Sequence, residues 1–229
     1  MNDVKMKAVK FLLLISMFSF HFVYAQKIAL TESNLVANKV AMSIEKFQGK
    51  QVVKVAKDPA VKEVDEPTFV RIKNLDFTDG DIEVSVLSRL LPTAAPSDRG
   101  FIGVAFRIND SNTAFECIYI RPTNGRAEDQ VRRNHSIQYF SYPEYKFSRL
   151  RKENPEMYES YADMGLNEWI KMKIVVQDNR AKLFLNNQQH PSLIVNDLKH
   201  GAGVSGAIGL FVDVGTEGYF KDLRVNIRK

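Results

Sequence analysis

Apolar and polar residues alternate along most of the chain from residue 41 onward, and turn-forming residues separate the alternating segments. A period of two is typical of strands that bury one face. The predicted strands are 41–47, 51–56, 68–73, 81–90, 101–108, 114–121, 168–177, 180–185, 192–195, 206–212 and 219–227. Only the segment 145–157 has local helix character, and Pro155 limits its length. Short strands joined by close turns predict an all-β fold, an antiparallel β-sandwich or jelly roll with a partly helical insertion.

The first 25 residues form a separate segment. Lysines precede a continuous apolar run at 11–20, and Ala25 stands where a signal peptidase would cut before Gln26. This pattern indicates a secretory signal peptide, because the run is shorter than the roughly 20 apolar residues that span a bilayer. We therefore expect residues 1–25 to be a signal peptide and residues 26–229 to form one domain. The protein would be exported to the periplasm or the extracellular space, with no membrane span after cleavage.

Charge and cysteine content exclude several classes of function. The chain has a net charge of +5, of which the predicted signal peptide contributes +2 through Asp3 and three lysines, so +3 remains. The remaining basic residues are interleaved with acidic ones, unlike the basic stripe of a nucleic-acid-binding surface, and we expect no nucleic-acid partner. The single cysteine, Cys117, excludes an internal disulfide and a cysteine-rich zinc site. The sequence leaves the oligomeric state open.

Three stretches carry a resemblance to known proteins. The segment 76–84 looks like the early strand of concanavalin A-like lectin and glucanase folds. A strand led by Trp169 and a following strand that ends at Asn186 resemble a pair in these folds, and 206–223 is similar to their closing hairpin. This order resembles laminin-G-like domains and the secreted bacterial 3-keto-disaccharide hydrolase domain family. Over roughly residues 68–227, the resemblance implies a concanavalin A-like jelly roll and, as one possible activity, cleavage of 3-keto-disaccharides.

The insertion around 122–165 concentrates aromatic and basic residues. Six of the eight tyrosines lie between Tyr119 and Tyr161, and eight lysines or arginines lie between Arg121 and Lys152. Aromatic faces suit the apolar side of a sugar ring, while arginine and amide groups suit its hydroxyls. This composition favours a carbohydrate-binding surface. The alternative is a packed lid whose arginine and glutamate residues pair with one another.

Strand alternation narrows the choice of binding residues. On 101–108, the face opposite the apolar one offers Phe101, Gly103, Ala105 and Arg107, and small residues leave room for a ligand. A one-residue shift in register would invert this assignment. The predicted ligand-binding residues, which share a position on this face or in the insertion, are Arg107, Tyr119, Arg121, Asn124, Gln138, Tyr139, Tyr142, Arg149 and Tyr158.

Catalytic and metal-binding patterns are weak. Glu116, on a mostly apolar strand, and His135, in the insertion, are candidates for acid–base chemistry, although a paired carboxylate and a surface histidine are the ordinary interpretations. No histidine or carboxylate spacing typical of zinc is present, and we expect no metal or other cofactor. The turn Asn109–Asn112 offers oxygen atoms that suit Ca²⁺, but it contains a single acidic residue.

Three hypotheses follow for the function. The first is an exported carbohydrate-binding protein that holds a glycan fragment on the concave face. The second is a glycoside hydrolase of the 3-keto-disaccharide type, which rests on the resemblance alone. The third is a structural or interaction module without a small ligand. Carboxylates that converge with His135 in one pocket would favour the enzyme, exposed tyrosine and arginine in a groove would favour binding, and internally paired arginines would favour the module.

Overall fold

The computed structural model describes residues 26–228, which form two antiparallel sheets packed face to face. The predicted signal peptide, residues 1–25, lies outside the described residues. The strands are β1 Gln26–Lys27, β2 Leu35–Asn38, β3 Val40–Phe47, β4 Lys50–Lys57, β5 Phe69–Ile72, β6 Asp79–Leu90, β7 Ile102–Ile108, β8 Phe115–Ile120, β9 Ile137–Tyr142, β10 Glu159–Ser160, β11 Ile170–Gln177, β12 Arg180–Leu185, β13 Leu193–Val195, β14 Ala207–Val212 and β15 Thr216–Arg228. The helices are a 3₁₀ turn at Glu32–Asn34, α1 Pro122–Gly125, α2 Gln130–Asn134 and α3 Phe147–Glu153.

The two sheets have eight and seven strands. The eight-stranded sheet runs β13–β12–β11–β6–β15–β4–β3, with β1 paired to β15, and the seven-stranded sheet runs β10–β9–β8–β7–β14–β5–β2. All the pairings are antiparallel. This architecture confirms the predicted β-sandwich.

The main core lies between the sheets. Alternate residues of β6, such as Ile82, Val84 and Val86, are buried and belong to the same apolar cluster as Val104 and Ile118 of the opposite sheet. Burial of apolar surface at about 25 cal/mol per Å² is the dominant stabilising contribution in such a sandwich. The apolar positions of the alternating pattern in β6 are therefore the ones that form this core.

The seven-stranded sheet is buried on its outer face as well. Gly103 lies opposite Tyr119 in the β7–β8 register, and a Cβ atom at Gly103 would come within 2.5 Å of the Tyr119 Cα atom, so only glycine allows this approach. The rings of Tyr119, Phe140 and Phe211 then pack on this face with centroids 5.6–5.8 Å apart. The backbone N–H of Phe147 in α3 donates to the side-chain carboxylate of Asp65 in the β4–β5 loop, which joins the segments that border this second apolar layer.

Arg107 does not lie where the alternation predicts, because β7 contains a β-bulge at this residue. The register between β7 and β14 shifts near this residue, and its φ of 54° breaks the alternation of β7. Arg107 therefore does not join Gly103 on the outer face. Its guanidinium is buried and donates to the carbonyl oxygens of Thr78, Asp178 and Gly201 and to the Asp79 carboxylate, at 2.7–3.0 Å.

Two element predictions also need correction. The segment 137–142, which belongs to the expected insertion, is the regular strand β9 of the seven-stranded sheet. The helix expected over 145–157 is limited to Phe147–Glu153. In the part of the chain that the structure describes, no helix has both the length and the apolar character needed to cross a bilayer.

Candidate functional site

A cavity of about 350 Å³, here called the Arg121 pocket, opens at the outer face of the seven-stranded sheet near the ends of β7 and β8. Five segments of the chain form its walls: the β4–β5 loop, the loop that precedes β7, the helical segment after β8, helix α3 and the turn after β14. The residues that line it include Asp65, Asp98, Arg99, Phe101, Tyr119, Arg121, Asn124, Val131, Arg132, His135, Phe147, Arg151 and Asp213.

Arg121 is held in place at the end of β8. Its Nη1 atom donates to the carbonyl of His135 at 3.0 Å and to Glu159 Oε1 at 3.2 Å, and its Nη2 atom donates to the Tyr119 hydroxyl at 2.8 Å and to Gln138 Oε1 at 3.1 Å. The side chain is almost fully buried. A planar guanidinium whose Nη atoms have four fixed acceptors is a rigid group, so Arg121 fixes the shape of this wall of the pocket.

Asp65 places a carboxyl group in the wall beside Arg121. Its Oδ2 atom accepts the Phe147 N–H at 2.7 Å, whereas its Oδ1 atom is buried without a hydrogen-bond partner among the described residues. Its own N–H donates to Asp213, which forms an ion pair with Lys57 at 2.6 Å. Burial and the neighbouring Asp213 charge raise the pKa of Asp65 to about 7, so both protonation states are populated at neutral pH.

His135 lies in the wall of the pocket, with Glu159 beside it. The His135 Nε2 atom lies 3.6 Å from the Glu159 Oε2 atom, and burial lowers the pKa of His135, against the opposing influence of Glu159. Burial alone would raise the pKa of Glu159, but the hydrogen bond from Arg151 and the charges of Arg121 and Arg151 hold it below the ordinary value. The result is a carboxylate balanced by two arginines beside a neutral imidazole.

Buried polar atoms without partners concentrate in this pocket. Among the described residues, three such atoms belong to its lining: Asp65 Oδ1, Asn124 Oδ1 and Arg132 Nε. An unpaired buried polar group costs about 1–3 kcal/mol, so most native proteins avoid it. Two acceptors and one donor in the wall of the pocket are therefore left unsatisfied by the described residues.

Apolar surface forms the rest of the wall. Phe101 packs edge-on against Tyr119, with ring centroids 6.0 Å apart. The Phe147 ring lies under the guanidinium groups of Arg121 and Arg151, at 5.6 and 5.1 Å. Half-buried aromatic rings beside fixed polar groups are typical of a pocket for a small polar ring.

Some predicted site residues meet in the pocket. Tyr119, Arg121, Asn124 and His135 belong to its lining, and Gln138 lies behind them as a hydrogen-bond acceptor of Arg121. The structure thus brings together residues from β8, α1 and the end of α2, in the part of the chain that the sequence singled out for its arginine and tyrosine content.

Other predicted site residues lie elsewhere. Arg107 is at the bulge described above. Glu116 and Tyr139 face the inter-sheet core, where the Tyr139 hydroxyl donates to Glu116 Oε2 at 2.6 Å and the His200 N–H donates to Oε1 at 2.8 Å. Both oxygens of Glu116 are occupied, so this buried carboxylate holds the loop that contains His200.

Three further predicted residues, Tyr142, Tyr158 and Arg149, make their contacts outside the pocket. Tyr142 stacks on Phe115 at 5.2 Å, and the Tyr158 hydroxyl donates to Asp197 at 2.6 Å. Arg149 pairs with Glu153 at 2.8 Å and lies 3.7 Å from Glu144. These pairings fit the packed-lid interpretation for this part of the insertion.

Sequence reasoning missed the acidic and several basic residues of the pocket. Asp65 lies in the acidic run 63–66, which has the appearance of a solvated loop, and Asp213 follows directly after an apolar strand. Phe101 was identified on the correct face of its strand. No signal local to these segments relates Asp65 to Asp213, because 148 residues separate them along the chain.

The residues present do not group into a metal site. Within residues 26–228, no cluster of three or more histidine, cysteine, aspartate or glutamate side chains is arranged to hold an ion. In the turn Asn109–Asn112, the Asp110 and Asn112 side-chain oxygens accept from Arg71, and Asn109 Oδ1 accepts from the Thr113 N–H. The oxygens considered for Ca²⁺ are therefore used within the turn and its neighbour.

Comparison with solved structures reveals the same fold at low sequence identity. A protein of unknown function with a galectin-like fold from Bacillus subtilis has 11% identity and a TM-score of 0.54, over 90% of this chain and 100% of that one. The carbohydrate-binding module CBM66 from Bacillus subtilis has 11% identity and a TM-score of 0.51, over 82% and 94%. A Bacillus licheniformis β-glucanase has 12% identity and a TM-score of 0.44, over 93% and 95%. The two neighbours with TM-scores above 0.5 share the β-sandwich fold that the sequence resemblance implied.

Sequence comparison identifies a family for the chain but no individual relative. No curated protein matches the chain. The family model described as 3-keto-alpha-glucoside-1,2-lyase-like domain matches residues 41–226, which include every strand from β4 to β14 and all the pocket residues described above. The chain therefore belongs to the family of 3-keto-alpha-glucoside-1,2-lyase-like domains.

Proposed function

We propose that the protein binds a glycoside, as a sugar unit of a glycan fragment, in the Arg121 pocket. The observation that carries this proposal is the set of three unpartnered polar atoms, from Asp65, Asn124 and Arg132, in one pocket with aromatic walls. Sugar hydroxyls both donate and accept hydrogen bonds, so one sugar can satisfy acceptors and donors together. Its C–H groups can lie on the Phe101 or Phe147 ring.

The size of the pocket supports a small ligand. A volume of about 350 Å³ lies near the lower end of the range for small-molecule sites, and it suits one or two sugar rings better than a long chain. The similarity to a carbohydrate-binding module at 11% identity concerns the fold, so the pocket residues carry the assignment of the ligand class.

Two aromatic residues of α3 and its preceding turn allow a matched test. Phe147 and Tyr145 are both half-buried and both carry a guanidinium over the ring, but only Phe147 lines the pocket. The mature chain is screened on a glycan array, and the best neutral or charged glycan is then titrated by calorimetry. We expect Phe147→Ala to weaken binding at least tenfold and Tyr145→Ala to change it less than twofold. Binding to no glycan contradicts the proposal, and equal effects of the two substitutions contradict this site.

A second candidate function is eliminative cleavage of a 3-keto-glycoside, and Asp65 favours it. A ketone at C3 acidifies the hydrogen on C2, so a base can remove that proton while the C1–O bond breaks and its electron pair leaves with the aglycone. A double bond forms between C1 and C2, and the aglycone oxygen takes up a proton. A carboxylate with a pKa of about 7 and an unpartnered oxygen suits the role of this base.

Aglycone release from a 3-keto-glucoside with a chromogenic leaving group tests this activity. Because the base must be ionised, we expect kcat/KM to rise with pH and level off above about pH 7. Asp65→Asn should reduce the rate at least 100-fold, and this loss should exceed by at least tenfold the loss of affinity for an unoxidised glucoside. A rate that does not depend on Asp65 would contradict this mechanism and leave the binding proposal intact.

We also propose that the protein is exported after removal of residues 1–25. The support is the charged segment followed by the apolar run, with a small residue at the predicted cleavage position. Amino-terminal sequencing of the protein from the native host should begin at Gln26. Recovery of a chain that retains the apolar run would contradict this proposal.

A further inference from the structure

We propose that the Arg121 pocket selects a sugar that carries an anionic substituent, and that Arg99 and Arg132 bind this group. The inference rests on the proposed function, because it names the class of glycoside that the pocket takes. It follows from an imbalance of charge at the pocket, which the described residues do not correct.

Arg99 lies in the loop before β7 and reaches the pocket without an acidic partner. Its Nη1 atom donates to the carbonyl oxygens of Pro96 and Asp98, at 2.6 and 3.0 Å, and no carboxylate among the described residues lies within ion-pair distance. Burial lowers the pKa of Arg99, and the charges of Arg132 and Arg121 lower it further, against the opposing influence of Asp98. The charge of Arg132 thus lowers the pKa of Arg99 more than the charge of Asp98 raises it.

Arg132 supplies the stronger observation. It lies in α2 and lines the pocket, its Nε atom is buried without a partner, and its guanidinium forms no hydrogen bond or ion pair with the described residues. A buried N–H donor without an acceptor is costly, because its hydrogen bond to water is lost and not replaced. An anionic ligand would supply the missing acceptor.

The neighbouring arginines are paired. Arg126 binds Asp163 and Glu168, at 2.8 and 3.1 Å, and Arg151 binds Glu159. Arg133, adjacent to Arg132 in α2, donates to the Tyr161 hydroxyl at 2.7 Å. Among the arginines that line the pocket, Arg99 and Arg132 are therefore the two without an acidic partner in the described residues.

The acidic residues of the pocket do not neutralise Arg99 and Arg132. Asp213 is paired with Lys57, and Glu159 is shared by Arg121 and Arg151. The Asp98 Oδ2 atom accepts the Ala95 N–H at 2.7 Å within its own loop. Asp65 carries only part of a negative charge at neutral pH, since its pKa is about 7. Asp98 is the acidic residue that raises the pKa of Arg99, and the charges of Arg99 and Arg132 together outnumber it.

Two substituents share the required chemistry. The carboxylate of a uronic acid can accept two parallel hydrogen bonds from an arginine, and a sulfate ester offers three acceptor oxygens. Affinity for either should fall as salt is added, because the attraction is electrostatic and the pocket opens to solvent.

Three methyl glycosides with the same ring test the inference: methyl α-D-glucopyranoside, its 6-carboxylate and its 6-sulfate. Each is titrated by calorimetry at low salt against the wild-type protein, Arg99→Gln, Arg132→Gln and the control Arg133→Gln, which removes the same charge from the same helix outside the pocket. We expect one of the charged glycosides to bind at least tenfold more tightly than the neutral one. Arg99→Gln and Arg132→Gln should each reduce that preference at least threefold, and Arg133→Gln should leave it unchanged.

The outcomes separate this inference from the proposed function. Equal binding of the three glycosides contradicts the anion preference and leaves sugar binding intact. Binding of inorganic sulfate as tightly as the charged glycosides also contradicts the inference, because the sugar would then contribute nothing. Binding of no glycoside contradicts both proposals for this sugar class, provided that thermal unfolding confirms the fold of each variant.

Discussion

At the scale of single residues, the environment of Asp65 departs most from what its sequence context suggests. An aspartate in an acidic loop normally remains ionised and solvated, but this one is fully buried beside Asp213 and Arg121. The same carboxyl group has an unpartnered oxygen. Burial of a titratable group without full pairing is a feature of functional sites more often than of structural ones.

The raised pKa of Asp65 predicts a pH-dependent stability. The pKa moves from 3.8 to about 7 on folding, so the folded state retains a proton that the unfolded state releases, and stability falls as pH rises from about 4 to about 7. Asp65→Asn removes this penalty and keeps an oxygen that can accept the Phe147 N–H. We expect the free energy of unfolding of the variant to exceed that of the wild type by about 2–3 kcal/mol more at pH 8 than at pH 5. Urea unfolding at the two pH values measures this difference. The exposed Asp110→Asn serves as a control, and an equal gain at both pH values would contradict the assignment.

At the scale of elements, the β7 bulge shows why alternation alone could not define the site. The sequence predicted strand 101–108 and the correct face for Phe101 and Gly103, because hydrophobic alternation is a local property. The bulge at Arg107 depends on the partners β8 and β14, which local alternation does not reveal. Strand β9 was missed for a similar reason, since both of its faces are buried and it shows no alternation.

The bulge predicts that Arg107 stabilises the fold and does not bind ligand. Its guanidinium joins the Thr78, Asp178 and Gly201 carbonyls and Asp79, so Arg107→Ala would leave several buried acceptors unpaired. We expect a loss of about 3 kcal/mol in the free energy of unfolding, while glycoside affinity of the folded protein stays within twofold. Urea unfolding and calorimetry measure the two quantities. A large loss of glycoside affinity without a loss of stability would contradict this prediction and assign Arg107 to the binding site.

At the scale of the whole molecule, the sandwich brings distant segments to one pocket. The fold could be predicted because each predicted strand carries a local alternation of apolar and polar residues. The order of three motifs along the chain indicated the family. The pocket could be predicted only in part. Tyr119, Arg121 and Asn124 share one segment, whereas Asp65, Arg99 and Asp213 reach them only through the packing of strands and loops that are far apart in sequence.

A crystal structure with the best-binding glycoside at saturating concentration tests the central claim most directly. We predict one sugar ring in the Arg121 pocket, with hydrogen bonds to Asn124 and Asp65 and a ring face on Phe101 or Phe147. Density for the sugar on the eight-stranded sheet, or a pocket that stays free of sugar at saturation, would contradict the account.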